Sequence, residues 1–334
     1  MNIKETLFKL SDSVSIGNIT EAANIACEEL SKYAKTTQSV NNVMGILKGK
    51  TDYTLMLEAH IDEVGFVVTD VDDNGFLTVK NCGGIDLRML PSKTVLIHGK
   101  QTVTGVFCAT PPHLGGVKEY DDISALKIDT LLGSDAKEII SAGDFVTFNI
   151  RATQMYGTTV TGKSFDNRAG VVCLLALAER LKGVELPFDV VIAFTDAEEL
   201  GHRGAKTVSF DVSPDEAIVL DVSFADAPDV DSHDCGILSG GAMVGVSPVL
   251  DKQISQDLIN LAEENGLPYQ TEVMNGRTGT NGDTISVSKS GVKTGLVSIP
   301  LRNMHTDIEI VDIKDIQNVC DLLYAYITKG GAAE

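Results

Sequence analysis

Basic residues are scarce in this chain: 27 Lys and Arg stand against 47 Asp and Glu, a formal charge of -20 over 334 residues. Such a surface repels polyphosphate at long range, which argues against a nucleic acid partner. Long apolar runs are missing too. No stretch reaches the ~18 residues that a membrane span needs, and the N-terminal MNIKETLFKLSDSV mixes acids into its apolar residues without a secretory h-region. The expectation is a soluble, cytoplasmic protein with no membrane partner. Six cysteines, Cys27, Cys82, Cys108, Cys173, Cys235 and Cys320, form no CxxC pair and no dense framework, as befits thiols in a reducing compartment. Cys173, inside the apolar run VVCLLALAERL, reads as core rather than as a ligand. No repeat of roughly 20 to 50 residues is visible, which argues against a solenoid or propeller.

What is present describes a folded globular protein, with 43% hydrophobic and 22% charged residues. Its length favours a main domain plus a smaller one. EAANIACEELSKY has helical spacing and TDYTLMLEAHIDE reads as a short buried strand, so the chain opens in α/β style. From about residue 65 to 157 the texture becomes period-two runs broken by turn signals: GFVVTDV and FLTVK around DDNG, then KTVLIHGKQTVTGVFCAT, then AGDFVTFNI. Afterwards helix and strand alternate again, in NRAGVVCLLALAERLKG, PFDVVIAFT, EAIVLDVSF, QISQDLINLAEENG and GLVSIP. The reading is an α/β catalytic domain of residues 1–64 and 158–334, with a mixed sheet, interrupted by a small β-barrel-like domain of residues 65–157.

Four of the expected strands lead into metal-binding side chains. LMLEA leads to His60 with Asp62, VVIAFT to Asp196, Glu198 and Glu199, AIVL to Asp221, and LVSIP through a short loop to His305. Open α/β sheets bind ligands at the carboxyl ends of their strands, so these residues share one rim. Asp166 in GKSFDNRAG, just before a helix, faces the same crevice. Each residue has an ordinary explanation on its own: His60 could be a satisfied histidine, Glu198 and Glu199 a solvated turn, and Asp221 a turn cap. Five coincidences at one rim make those explanations the weaker ones. Two imidazoles and three carboxylates exceed what one catalytic ion needs, which points to two. Nitrogen and oxygen ligands without thiolate suit zinc, cobalt or manganese.

AHIDEVGF, VTGVFCATPPHL, GKSFDNRAG, TDAEELGHRGA, IVLDVSF and VSIPLRNMHT, in this order across nearly the whole chain, resemble the M42 metallopeptidases, which include glutamyl and deblocking aminopeptidases and the tetrahedral TET particles. The resemblance implies an aminopeptidase that removes single residues from short peptides with two divalent ions, zinc or cobalt. It makes His60 and Asp221 ligands of one ion and Glu199 and His305 ligands of the other, with Asp166 bridging. Glu198 becomes the general base that deprotonates a water between the ions, and Asp62 the carboxylate that fixes the His60 tautomer. It also implies a cis peptide at Asp166–Asn167, a dimerisation role for the insert, and a homo-oligomer, either a dimer or a dodecamer.

The chain departs from the family at Asn303, where a tyrosine is usual, and in GTNGDTI (residues 279–285), where the family has a tighter GTD stretch. Both departures bear on the substrate pocket. His113 in PPHL reads as structural, at a hinge or an interface. A related deacylase or carboxypeptidase, a glucanase-labelled relative, and a scaffold with a dead site remain as alternatives; a dead site predicts a missing ligand or base, and none is missing.

Overall fold

The computed structural model describes residues 1–115, 120, 122–228, 230–233 and 235–329. An eight-stranded mixed sheet runs in the order Tyr269–Val273, Ala242–Val246, Lys293–Leu301, Glu216–Phe224, Thr54–His60, Asp189–Thr195, Asn42–Leu47 and Lys35–Ser39. Its four middle strands are parallel. Parallel strands must be covered on both faces, and their nearly unbroken apolar runs supply two. Leu55, Leu57 and Ala59 face a core built with the long helices Phe165–Leu181, Lys252–Asn265 and Ile313–Thr328. Met56, Val191, Ala193, Ala217 and Val219 face the other way, beneath the helix Arg203–Val212.

That second face changes character along the strands. Period-two alternation continues Met56 into Glu58 and His60, Ala193 into Thr195, and Val219 into Asp221 and Ser223. Apolar residues occupy the amino-terminal half of this face and polar ones the carboxyl-terminal half. The site follows from that switch.

The turn-rich insert closes into a barrel of six antiparallel strands: Ile128–Asp129, Leu77–Cys82, Gly65–Val71, Phe145–Phe148, Thr94–His98 and Thr102–Phe107. Closure removes free sheet edges. Phe66 sits fully buried at its centre, edge-on to Phe107 at 5.1 Å and to Phe148 at 5.6 Å between ring centroids. Past the barrel, Thr153–Gln154, Thr159–Gly162 and Glu309–Asp312 form a three-stranded antiparallel sheet that leads the chain into the helix Phe165–Leu181. Among the described residues no helix is long and apolar enough to cross a membrane.

Candidate active site

His60 ends its strand directly beside Thr195 of the parallel neighbour, so the residues that follow Thr195 emerge next to the imidazole. Asp221 lies inside its strand, EAIVLDVSF, as the sequence suggested. The strand runs on to Phe224, and Asp221 lies opposite Ser298 in register. Asp166 comes from the start of the helix Phe165–Leu181, where the Asp166–Asn167 peptide is cis. Asn167 secures this turn by donating from Nδ2 to the Leu220 carbonyl at 2.7 Å and accepting the Gly170 N–H at 3.1 Å. A Cβ on Gly170 would come within 2.4 Å of that Asn167 oxygen, so the approach needs glycine. His305 stands in the loop between Arg302 and Ile310, whose backbones exchange two hydrogen bonds, at φ 60.

These elements bring the donors together. Asp166 Oδ1 lies 2.9 Å from His60 Nε2, and its other oxygen lies 3.3 Å from His305 Nε2. Asp221 Oδ1 is 3.7 Å from His60 Nε2, and Glu199 Oε1 is 3.3 Å from His305 Nε2. Ligand atoms of His60, Asp166 and Asp221 lie within 4.8 Å of one another, as do those of Asp166, Glu199 and His305, and those of His60, Glu198 and Glu199. Asp196 goes elsewhere: its carboxylate accepts from Asn41 at 3.0 Å.

Burial, and after it the crowding of like charge, acts on the carboxyls gathered here. Burial, then the neighbouring Asp166 carboxylate, pushes Glu309 well up, while burial with the same neighbour acts on Asp221 against the pull of His60. Burial raises Glu199 as well. Burial opposes the charge on Asp166 too, but hydrogen bonds with His305 and His60 outweigh it and hold that carboxyl well below its usual range. His305 is pushed up to about 11, since Asp166 and Glu199 outweigh the opposing effect of burial. In physical terms, this is a pocket of anions that stabilises whatever positive charge enters it.

A ring of supporting contacts surrounds the donors. Asp62 Oδ1 lies 3.3 Å from His60 Nδ1, and its two oxygens accept the backbone N–H groups of Glu198 at 3.0 Å and Glu199 at 3.2 Å. Glu309, which the sequence reading missed, is buried and accepts the N–H groups of Asp166 at 3.0 Å and His305 at 2.9 Å. His202, also missed, places Nε2 3.2 Å from Glu198 Oε1 and Nδ1 3.1 Å from the Thr284 hydroxyl. Only its i,i+4 spacing from Glu198 hinted at this. Beneath the site, buried Asn281 of the GTNGDTI stretch donates to Glu58 at 2.8 Å, so that departure supports the floor. Asn303 holds the His305 loop by donating to the Ile308 carbonyl at 3.1 Å. His113 is exposed in the turn Pro112–Leu114.

The donors open onto a cavity of about 890 Å³, walled further by Ser223, Phe224, Met243, Glu272, Met274 and Thr280. No Lys or Arg lines it among the described residues.

A family model described as M42 glutamyl aminopeptidase matches residues 41–322. A putative aminopeptidase of Acetivibrio thermocellus is 30% identical over 319 residues, covering 92% of this chain and 92% of its own. Among solved structures, an aminopeptidase from the archaeon Desulfurococcus kamchatkensis aligns with a TM-score of 0.91 at 30% identity, covering 98% of this chain and 94% of that one. The TET1 peptidase of Pyrococcus horikoshii, described as assembling into a tetrahedron or a large octahedral shell, aligns with a TM-score of 0.84 at 27% identity over 98% of this chain and 99% of that one.

Proposed function

The chain belongs to the M42 glutamyl aminopeptidase family and is a peptide hydrolase; on that premise we propose that it removes the N-terminal residue of short peptides with two divalent ions, zinc or cobalt. The position of Asp166 carries this reading. One carboxylate shared by two donor groups, each with its own histidine, is what a pair of ions requires, and a single ion would leave one group idle. Nitrogen and carboxylate oxygen without thiolate fit zinc or cobalt. His60 and Asp221 would hold one ion, Glu199 and His305 the other, with Asp166 between them. When bound, the ions supply Lewis acidity toward the scissile carbonyl and acidify water.

The chain's own residues do the rest. Glu198 takes the proton of the attacking water and returns it to the leaving amine, a role worth typically ~10²–10⁴-fold. Asp62 holds the His60 ring and, through the two N–H groups it accepts, sets where Glu198 and Glu199 point. The substrate's free α-amine would bind near the second ion or an acidic residue of the cavity, a requirement that would make the site an exopeptidase. Elemental analysis of protein reloaded with zinc or cobalt should find two ions per chain, with His60→Ala and His305→Ala each removing one. A ceiling of one ion in the parent protein would overturn the two-ion reading, and a panel of aminoacyl, acyl and C-terminal substrates separates aminopeptidase from deacylase or carboxypeptidase.

We further propose that residues 65–157 act as the dimerisation domain of a homo-oligomer, a dimer or a dodecamer, on the likeness to the assembling TET1 peptidase. The six unbridged cysteines support a place in the cytoplasm.

A further inference from the structure

We propose that Glu272 selects peptides whose N-terminal residue carries a cationic side chain, lysine or arginine; this rests on the aminopeptidase reading above. The strand Tyr269–Val273 is the outermost of the sheet on its side, yet Glu272 reaches back toward the donors. Its carboxylate accepts the Ser223 hydroxyl through one oxygen and the Ser298 hydroxyl at 3.0 Å through the other. Ser298 is the register partner of Asp221, and Ser223 lies two residues beyond Asp221 on the same face. The carboxylate is therefore fixed on the same wall as the donor cluster and opens into the same cavity.

Among the described residues, Glu272 is the one carboxylate lining that cavity that stands outside the donor groups. Two hydroxyl donors hold it in place and leave each oxygen with room to accept another hydrogen bond. Burial works against its charge and pushes its carboxyl up, so an arriving ammonium or guanidinium supplies the missing compensation. Met243 and Met274, in the same wall, offer an adaptable apolar surface for the methylene stem of such a side chain. The whole molecule, at -20, draws cationic peptides and repels acidic ones. An N-terminal glutamate would meet carboxylates and no lining Lys or Arg among the described residues.

The test compares kcat/KM for lysyl, arginyl, norleucyl and glutamyl anilides on the metal-loaded protein and its Glu272→Gln variant, alongside calorimetric binding of free L-lysine and L-norleucine to both. Lysyl should exceed norleucyl by about tenfold or more, glutamyl should be poorest, and Glu272→Gln should lower the lysyl-to-norleucyl ratio by about tenfold. Norleucyl turnover without a lysyl advantage overturns the inference and leaves the aminopeptidase reading standing. If Glu272→Gln loses lysyl and norleucyl turnover in equal proportion, Glu272 serves the α-amine and the inference fails. Should no substrate turn over, the aminopeptidase reading fails, and the binding comparison decides: lysine held no tighter than norleucine overturns the inference.

Discussion

Asp62 accepts the N–H groups of Glu198 and Glu199 with its two oxygens, and this explains how adjacent acids come to point differently. Alternation along extended backbone does not: both residues lie in the turn beyond Thr195, after Ala197 at φ 56. Glu199 turns to His305, while Glu198 sits between the donors and His202. Glu198→Gln should therefore cut turnover by about 10²-fold or more with both ions retained, because the amide keeps the shape and loses the basicity. Glu199→Gln should lose one ion, with activity partly restored at high metal concentration. Metal content and turnover measured on both variants check the assignment, and the opposite pattern reverses the roles. His60, Asp221 and His305 were legible as candidates because each follows an apolar run that announces a strand. Glu309 was not, since it accepts backbone N–H groups rather than facing the crevice itself: that of His305, four residues away, and that of Asp166, 143 residues away, which only the fold brings near.

Elements meet at the site as well as build it. The loop after the barrel strand Leu77–Cys82 touches the donors: a Cβ on Gly83 would lie 3.1 Å from Glu199 Oε2 and 2.7 Å from Val64, and one on Gly84 would lie 3.3 Å from His305 Nδ1. Lys93, preceding another barrel strand, pairs with Asp307 of the His305 loop at 2.8 Å. The barrel thus braces both donors of one proposed ion. Gly83→Ala, at φ +87, should weaken metal affinity by about 10–100-fold, the scale seen when the surroundings of metal ligands are disturbed. Gly133→Ala supplies the control, because at φ +55 it also needs left-handed backbone but meets nothing within 4 Å. Competition with a chelating dye reads both; equal affinity in the two variants would rule out the brace. The barrel was readable from the alternation in GFVVTDV and TVTGVF. The edge strand Lys35–Ser39 was not: KTTQS is almost wholly exposed, and only its pairing with Asn42–Leu47 makes it a strand.

At the scale of the whole molecule, charge and apolar surface oppose each other. Subunits carrying -20 each repel, so an assembly has to overcome that repulsion with surface burial. Within residues 65–157 the exposed large apolar side chains include Leu131 at 91% and Tyr156 at 96% exposure, side chains that gain by leaving water. If the proposed interface lies there, assembly should strengthen with salt, because the Debye length falls from about 30 Å at 0.01 M to about 10 Å at 0.1 M while apolar burial is little affected. Light scattering at those two ionic strengths should show the larger species favoured at the higher one. Leu131→Asp with Tyr156→Asp adds two charges where burial is needed, and should shift the species toward monomer by about tenfold or more in dissociation constant. The matched pair Phe210→Asp with Val287→Asp, exposed at 59% and 74% outside that segment, adds the same charge elsewhere and should leave the size alone. Net charge then cannot account for a difference between the pairs. An unchanged size in the first pair and a fall in the second would move the interface off residues 65–157 and onto the α/β body.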